Sequence, residues 1–140
     1  MKTRMLLPLL LLFGLALAAC GGSETAAPVT EEIDLASLPD TVDVDTVHAI
    51  KDNPGVFLLD VREPDEYAAG HIPGITLIPM NDVPARLSEI PKDKEVIVTC
   101  RTGNRSAQIT DFLREQGFTN VHNMDGGIVA WEAAGHPVEQ

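Results

Sequence analysis

The sequence predicts a single α/β domain with a central, mostly parallel sheet of about five strands and helices on both faces. Its 140 residues are the length of one ordinary domain. Short runs rich in Val, Ile and Leu alternate with segments of helical periodicity, as in chains that build parallel sheets. The runs at 56–59 and 96–98 are continuously apolar, which is typical of strands buried on both faces. These observations predict three layers, with the sheet between two layers of helices.

The predicted elements are separated by turn residues and by helix stop signals. The strands cover residues 41–44, 56–59, 75–78, 96–98 and 121–124. The helices cover residues 45–51, 63–69, 83–90, 106–116 and 128–134. Asp45 is predicted to cap the first helix, which ends before the turn at 53–55. Gly70, Gly117 and Gly135 stop the second, fourth and fifth helices.

Acidic residues dominate the charge of the chain. There are 10 Lys and Arg against 21 Asp and Glu, a net charge of −11. Residues 1–19, interpreted below as a cleaved export signal, contain Lys2 and Arg4. Without them the chain has 8 basic against 21 acidic residues, a charge of −13. Such a chain is repelled by phosphate backbones, so charge-driven nucleic-acid binding is excluded. A hydrophobic content of 44% is too high for a disordered acidic tail and supplies a core.

The first twenty residues have the composition of an export signal. Lys2 and Arg4 precede an apolar run at 5–19, which at 15 residues is shorter than the ~20 needed to span a bilayer. The run ends in Leu-Ala-Ala before Cys20, and this ending is similar to the lipobox of bacterial lipoproteins. The resemblance implies that the Cys20 sulfur takes a diacylglyceryl group and that cleavage then makes Cys20 the first residue of the mature chain. A membrane anchor that is never removed is the alternative.

This resemblance implies an organisation in three parts. Residues 1–19 are a signal peptide, residues 20–40 are the lipidated cysteine with a flexible acidic tether, and residues 41–140 are the folded domain. We therefore expect an exported protein, lipid-anchored to a bacterial cell-envelope membrane at its periplasmic or extracytoplasmic face. Cys100 is then the only free thiol of the mature chain.

Cys100 lies where sites form in a parallel α/β sheet, between the carboxyl end of a strand and the start of a helix. The connecting loop, residues 101–105, contains a glycine and two arginines. Its amides are placed to point inward as an anion-binding nest, and the N-terminus of the following helix reinforces it. Such surroundings lower the pKa of a thiol and favour the nucleophilic thiolate. A buried, inert cysteine is the alternative.

Three blocks of sequence carry a family resemblance. They are Cys-Arg-Thr-Gly-Asn-Arg-Ser at 100–106, the segments 58–62 and 66–74, and Asn-Met-Asp-Gly-Gly-Ile at 123–128 with Trp131. They resemble the active-site loop, the N-terminal signature and the C-terminal signature of single-domain rhodaneses, the thiosulfate sulfurtransferase family, and they occur along the chain in that family's order. The resemblance covers about residues 41–138 and implies a rhodanese-like three-layer α/β/α fold without a cofactor. One departure is the segment 74–79, where the family usually has Ala after the Gly and Asn or His at position 77, and this bears on stability.

The length of the loop separates sulfur transfer from related chemistries. Four residues lie between Cys100 and Arg105, whereas related phosphatases, and arsenate reductases on the same fold, have five. The smaller ring of amides suits one sulfur atom better than a tetrahedral phosphate or arsenate. The resemblance implies that Cys100 takes a sulfur from a small anionic donor such as thiosulfate and passes it, as a persulfide, to cyanide or a thiol.

The resemblance also assigns roles within the loop. The persulfide-binding residues are Arg101, Thr102, Gly103, Asn104 and Arg105. Arg101 is expected to face outward and attract the anionic donor. Arg105 is expected to brace the loop from within by pairing with a carboxylate.

Three further residues are given supporting roles. Asp60 and Arg62 end a buried strand, and Arg62 is predicted to form a structural ion pair with Asp60 or Glu66 rather than to act in catalysis. His71 is predicted to order its loop through a hydrogen bond, with a general-base role as the alternative. The histidines show no metal-ligand spacing, so no metal site is predicted. The glycine pair 126–127 is interpreted as a tight turn.

Three functions are compatible with these features. The leading one is a monomeric, lipid-anchored sulfurtransferase. The second is a sulfur carrier or persulfide-binding module with little turnover of its own, which acts on a partner protein. The third is an interaction lipoprotein that retains only the fold, and the intact Cys100 loop argues against it.

Overall fold

Five parallel strands form the sheet in the computed structural model, which describes residues 32–140. They are β1 (Thr41–Val42), β2 (Val56–Asp60), β3 (Thr76–Leu77), β4 (Glu95–Thr99) and β5 (Val121–Met124). The α-helices of this part of the chain are α1 (Val44–Ile50), α2 (Pro64–Ala69), α3 (Asn104–Glu115) and α4 (Gly127–Ala133). The strand order is β1-β5-β4-β2-β3, with parallel pairing throughout. The predicted α/β class and the sheet of about five strands are confirmed.

Helices cover the sheet on both faces, because successive residues of a strand point to opposite sides. On one face, Leu59 packs with α3 and with the segment 83–90. On the other face, Leu58 and Ile97 pack with α1 and with the fully buried Trp131 of α4. This is the three-layer arrangement that the sequence predicts.

The segment 83–90 does not form the predicted α-helix. It forms two 3-10 turns instead, Val83–Ala85 and Leu87–Glu89. Its hydrogen bonds join residues three apart, as from the Arg86 N–H to the Val83 carbonyl, and Pro91 disfavours helical geometry at the residue before it. The apolar side chains that suggested the helix still turn toward the core.

Asp43, and not the predicted Asp45, caps α1. The Asp43 carboxylate accepts hydrogen bonds from the N–H and the hydroxyl of Thr46, at 2.9 and 2.8 Å. Thr46 is the third residue of the helix, the position whose amide an N-cap side chain reaches. Asp45 lies in the first turn and contacts His136 at 2.7 Å.

Packing begins before residue 41, the predicted start of the domain. A 3-10 turn covers Leu35–Ser37, and its first residue packs with Leu38 against the core on the α1 and α4 side. The last residues of the predicted tether, 20–40, are therefore part of the packed structure, because their leucines cover apolar surface.

The predicted signal peptide and Cys20 lie outside the described residues. Within residues 32–140, no helix is long and apolar enough to cross a membrane. Lipidation and localisation therefore stay predictions.

Candidate active site

The carboxyl ends of β2, β4 and β5 meet at one edge of the sheet. Cys100 follows β4 at this edge and is only 1% exposed. The helix α3 begins at Asn104, two residues before the predicted start at Ser106. The connection between β4 and α3 therefore spans only residues 100–103, and Arg105 belongs to the first turn of α3. The cysteine lies between a strand end and a helix N-terminus.

Two donors contact the sulfur of Cys100. The N–H of Gly103 donates to Sγ at 3.1 Å, and the hydroxyl of Ser106 lies 3.4 Å from the same atom. Gly103 has a φ of 96°, a left-handed conformation that glycine adopts without strain. A Cβ at this position would also approach the Gly126 nitrogen to 3.3 Å. The donor to the sulfur thus depends on a glycine at residue 103.

These surroundings lower the pKa of the Cys100 thiol. Burial alone raises that pKa, because it removes the thiolate from water. Hydrogen bonds from the Ser106 hydroxyl and from the amides of residues 102, 103 and 106 act in the opposite direction and outweigh burial. At a given pH, the thiolate, which is the nucleophilic form, is therefore a larger fraction of Cys100 than of an ordinary cysteine.

The start of α4 holds the carbonyl side of the Cys100 loop, which we define as residues 100–106. The amides of Ile128 and Val129 donate to the first two carbonyls of the loop, at 2.9 and 3.1 Å. Gly127 lies so close that a Cβ would come within 2.5 Å of the backbone of Cys100 and Arg101. The glycine pair interpreted as a tight turn therefore also makes room for the loop. The glycine pair is visible in the sequence, but nothing in the sequence shows that it contacts the Cys100 loop.

Arg105 pairs with Glu66 of α2. Its two terminal nitrogens donate to the two carboxylate oxygens, each at 2.7 Å. These hydrogen bonds lower the pKa of Glu66 to about 2, against the opposing effect of burial. The side chains are 31% and 25% exposed, so the pair is half-buried. Glu66 is thus the carboxylate that the sequence left unnamed, and the pair joins α2 to the first turn of α3.

Arg62 forms an ion pair with Asp60, one of the two partners predicted for it. Its Nη2 lies 2.7 Å from the carboxylate, and both residues are almost fully buried. The guanidinium also donates to the carbonyls of Glu66 and Gly70, at 3.1 and 2.9 Å. The Glu66 side chain, the other candidate partner, binds Arg105 instead. Arg62 therefore ties α2 to the end of β2.

His71 lies in the connection between α2 and β3. Its Nδ1 is 3.0 Å from the carbonyl of Tyr67, and the two rings stack with centroids 3.8 Å apart. Its backbone forms an isolated antiparallel bridge with Glu139. The hydrogen bond predicted for His71 is thus present in its own loop. Within the described part of the chain, no hydrogen bond joins His71 to the Cys100 loop, so the general-base alternative has no contact to support it.

A cleft of about 390 Å³ opens beside the Cys100 loop. Residues of α2, of α4 and of the loop surround it: Arg62, Asp65, Glu66, Ala69, Gly70, Arg101, Ile128, Val129 and Glu132. Arg101 is exposed, as expected, and no ion pair within residues 32–140 involves it. Thr102 and Asn104 are also exposed. No group of three metal-ligating side chains occurs between residues 32 and 140.

A cysteine whose sulfur receives hydrogen bonds at the carboxyl end of a central parallel strand defines a class of α/β domains suited to transfer chemistry on cysteine. The family described as Rhodanese-like domain matches residues 43–134. The chain belongs to this family, and the resemblance carried by the three sequence blocks is confirmed.

Relatives and a solved structure agree with this assignment. The chain is 45% identical over 89 residues to a sulfurtransferase of Allochromatium vinosum, with 64% of this chain and 83% of that protein covered. It is 40% identical over 83 residues to the thiosulfate sulfurtransferase GlpE of Pseudoalteromonas translucida, with 59% and 79% covered. The crystal structure of a rhodanese-related protein from Thermoplasma volcanium matches with a TM-score of 0.67 at 31% identity, covering 72% of this chain and 98% of that chain. These similarities support a rhodanese-type sulfurtransferase.

Proposed function

We propose that this protein moves a sulfane sulfur from a donor such as thiosulfate to a thiophilic acceptor, cyanide or a thiol, through a persulfide on Cys100. The observation that carries the proposal is the contact of the Gly103 amide and the Ser106 hydroxyl with the cysteine sulfur. These donors stabilise the thiolate form of a buried cysteine and so activate it as a nucleophile. The similarity to sulfurtransferases gives independent support.

The reaction has two balanced steps. In the first, the Cys100 thiolate attacks the outer sulfur of thiosulfate, the S–S bond of the donor breaks, and sulfite leaves with the electron pair. In the second, cyanide or a thiolate attacks the outer sulfur of the persulfide, and thiocyanate or a new persulfide leaves while the Cys100 thiolate is regenerated. No external oxidant or reductant is needed.

The Cys100 loop supplies the electrostatic part of this mechanism. Its amides are fixed before the reaction, by the carbonyl contacts to α4 on one side and by the Arg105–Glu66 pair on the other. Preorganised donors stabilise the anionic persulfide without further rearrangement. Arg101, at the cleft, is the residue that we propose attracts the anionic donor.

The mass of the intact protein tests the proposal. After incubation with thiosulfate, we expect the wild type to gain the mass of one sulfur atom, to lose it on addition of cyanide and to release thiocyanate over many turnovers. Cys100→Ser, the matched control, should gain no sulfur. A wild type that gains no sulfur contradicts the proposal, and one that gains it without turnover supports the sulfur-carrier alternative.

We also propose that the protein is exported and anchored to the cell envelope by lipid on Cys20. The basic start, the short apolar run and the lipobox-like ending support this. Two or more acyl chains hold a protein firmly to a bilayer, where one chain is marginal. Cys20→Ser should leave the membrane fraction, while Cys100→Ser should remain in it. A Cys20→Ser protein that stays with salt-washed membranes would refute the anchor.

A further inference from the structure

The cleft beside Cys100 contains three charged groups that the domain itself does not use. Arg62 and Glu66 also face the cleft, but Asp60 and Arg105 already satisfy their charges. The remaining charges belong to Arg101 of the loop, Asp65 of α2 and Glu132 of α4. All three are exposed, and no ion pair within residues 32–140 involves them. One positive and two negative groups are therefore left for a ligand.

The positions of these groups place opposite charges around one space. The Glu132 carboxylate reaches from α4 toward the end of α2, since a Cβ built on Gly70 would lie 4.0 Å from its Oε1. Asp65 stands in the first turn of α2. Arg101 adjoins the cysteine, and α4 holds its carbonyl. The carboxylates thus belong to the helical walls of the cleft, and the guanidinium belongs to the Cys100 loop.

The size and lining of the cleft fit an organic molecule. Its volume of about 390 Å³ falls in the range of roughly 300–1,000 Å³ typical of small-molecule sites. Ile128, Ala69 and the 47% exposed Val129 add apolar surface. An inorganic dianion such as thiosulfate uses little of this space and offers no partner to the two carboxylates.

We propose that the cleft selects, as sulfur acceptor, a small thiol that carries an ammonium group and a carboxylate, the chemistry of an amino-acid thiol. This inference rests on the proposed function. The carboxylate binds Arg101, and the ammonium group lies between Asp65 and Glu132. The acceptor thiolate attacks the outer sulfur of the Cys100 persulfide, the S–S bond breaks, and the acceptor leaves as its persulfide while the Cys100 thiolate re-forms.

A pair of acceptors tests the role of the ammonium group. Cysteine has it, and N-acetylcysteine lacks it but keeps the thiol and the carboxylate. The concentrations of the two acceptors are corrected to equal thiolate. We then expect kcat/KM of the wild type to be about five- to tenfold higher for cysteine, which is the contribution expected of two exposed ion pairs. The double variant Asp65→Asn, Glu132→Gln should lose this preference through the KM of cysteine. Glu115→Gln, an exposed carboxylate on α3 without an ion pair in the described residues, is the matched control and should keep it.

Binding without turnover separates this inference from the proposed function. In Cys100→Ser, S-methylcysteine should bind more tightly than N-acetyl-S-methylcysteine, and the double variant should abolish the difference. Equal affinities, or a wild-type enzyme that uses both acceptors equally, would overturn the inference. Absence of sulfur transfer to any acceptor contradicts the proposed function instead. In that case the affinities of Cys100→Ser for the two S-methyl compounds still test whether the cleft selects an ammonium group.

Discussion

The inner side of the Cys100 loop is fixed by contacts, whereas its outer side meets solvent. On the inner side, the sulfur receives donors from Gly103 and Ser106, and the start of α4 leaves no room for a Cβ at Gly127. On the outer side, Arg101 is exposed beside the cleft and forms no ion pair within the described residues. The two sides should therefore affect different properties of the protein. We expect the inner side to determine whether a persulfide forms and whether the fold is stable, and the outer side to determine which molecules reach the sulfur.

The largest effect should come from the sulfur itself. Cys100→Ser should reduce thiosulfate:cyanide sulfurtransfer by about three orders of magnitude or more, because a serine hydroxyl is not ionised at neutral pH. The fold should persist, since the loop carbonyls keep their backbone donors and the serine hydroxyl also accepts a hydrogen bond from the Gly103 amide. Steady-state kinetics and thermal unfolding of the same preparation measure both quantities. Substantial activity in a well-folded Cys100→Ser protein would refute the mechanism.

The next largest effect should come from Gly127→Ala. The new Cβ would meet the backbone of Cys100 and Arg101 at 2.5 Å, and the residue has a φ of 59°. The combined clash and backbone strain should lower the free energy of unfolding by about 2–4 kcal/mol and impair persulfide formation. Gly135→Ala is the control, because its φ is 78° but nothing lies within 4 Å.

Denaturant unfolding distinguishes these two glycines. Gly135→Ala should cost about 1 kcal/mol, the backbone strain alone, and should leave persulfide yield unchanged. Similar destabilisation by both substitutions would show that close approach at Gly127 does not support the loop.

Arg105→Gln should have a smaller effect on stability, because the pair with Glu66 is half-buried. We expect a loss of about 1–2 kcal/mol at neutral pH, rather than the 3–5 kcal/mol typical of breaking a buried pair. Persulfide yield should fall with it, since the first turn of α3 loses its tie to α2. Added salt should change this loss of stability little, because the two charged groups are in direct contact and partly buried, where salt screens weakly.

The pH dependence of that loss has a defined sign. The pKa of Glu66 is lowered to about 2 in the folded state, so its contribution is present above the unfolded value near 4.5 and is lost as pH falls toward 2. The stability difference between wild type and Arg105→Gln should therefore shrink between pH 5 and pH 2. Denaturant unfolding across this range measures it, and a constant difference would contradict the role of the pair.

The smallest effect should come from Arg101→Ala, on the outer side. It should raise the KM for thiosulfate about two- to fivefold with little change in turnover or unfolding temperature, since an exposed charge contributes modestly. The effect should shrink with added salt, which screens exposed charges beyond ~10 Å at 0.1 M. Arg86→Ala, an exposed arginine paired with Glu89, is the control and should leave the KM unchanged. A defect that does not depend on salt would place Arg101 on the inner side.

Local sequence patterns predicted most of the sheet and the position of Cys100. The strands β2 and β4 could be predicted without tertiary information, because a strand that is buried on both faces consists almost entirely of apolar residues. The junction of strand, glycine-containing loop and helix around Cys100 is equally local. The three signature blocks then supplied the family, which the comparison with known families bears out.

The sequence did not reveal contacts between distant segments. Glu66 and Gly127 meet the Cys100 loop from α2 and α4, and no spacing rule relates them to it. Two local predictions also differed from the structure. Periodicity at 83–90 predicted burial correctly but not helix type, because apolar spacing over so few residues does not distinguish an α-helix from two 3-10 turns. At α1, both Asp43 and Asp45 are candidate N-caps by sequence, and Asp43 is the cap because it accepts hydrogen bonds from the N–H and the hydroxyl of Thr46.

The pairing of β1 with β5 has a consequence for how the chain folds. Thr41 aligns with Asn123 and Val42 with Met124, so the first strand of the domain has the last strand as its neighbour. A chain synthesised from its amino end cannot complete this edge of the sheet until nearly the whole domain has emerged. Non-local pairing of this kind slows folding, since the loop must close before the contact stabilises it. The same delay would keep the chain open to translocation during the proposed export.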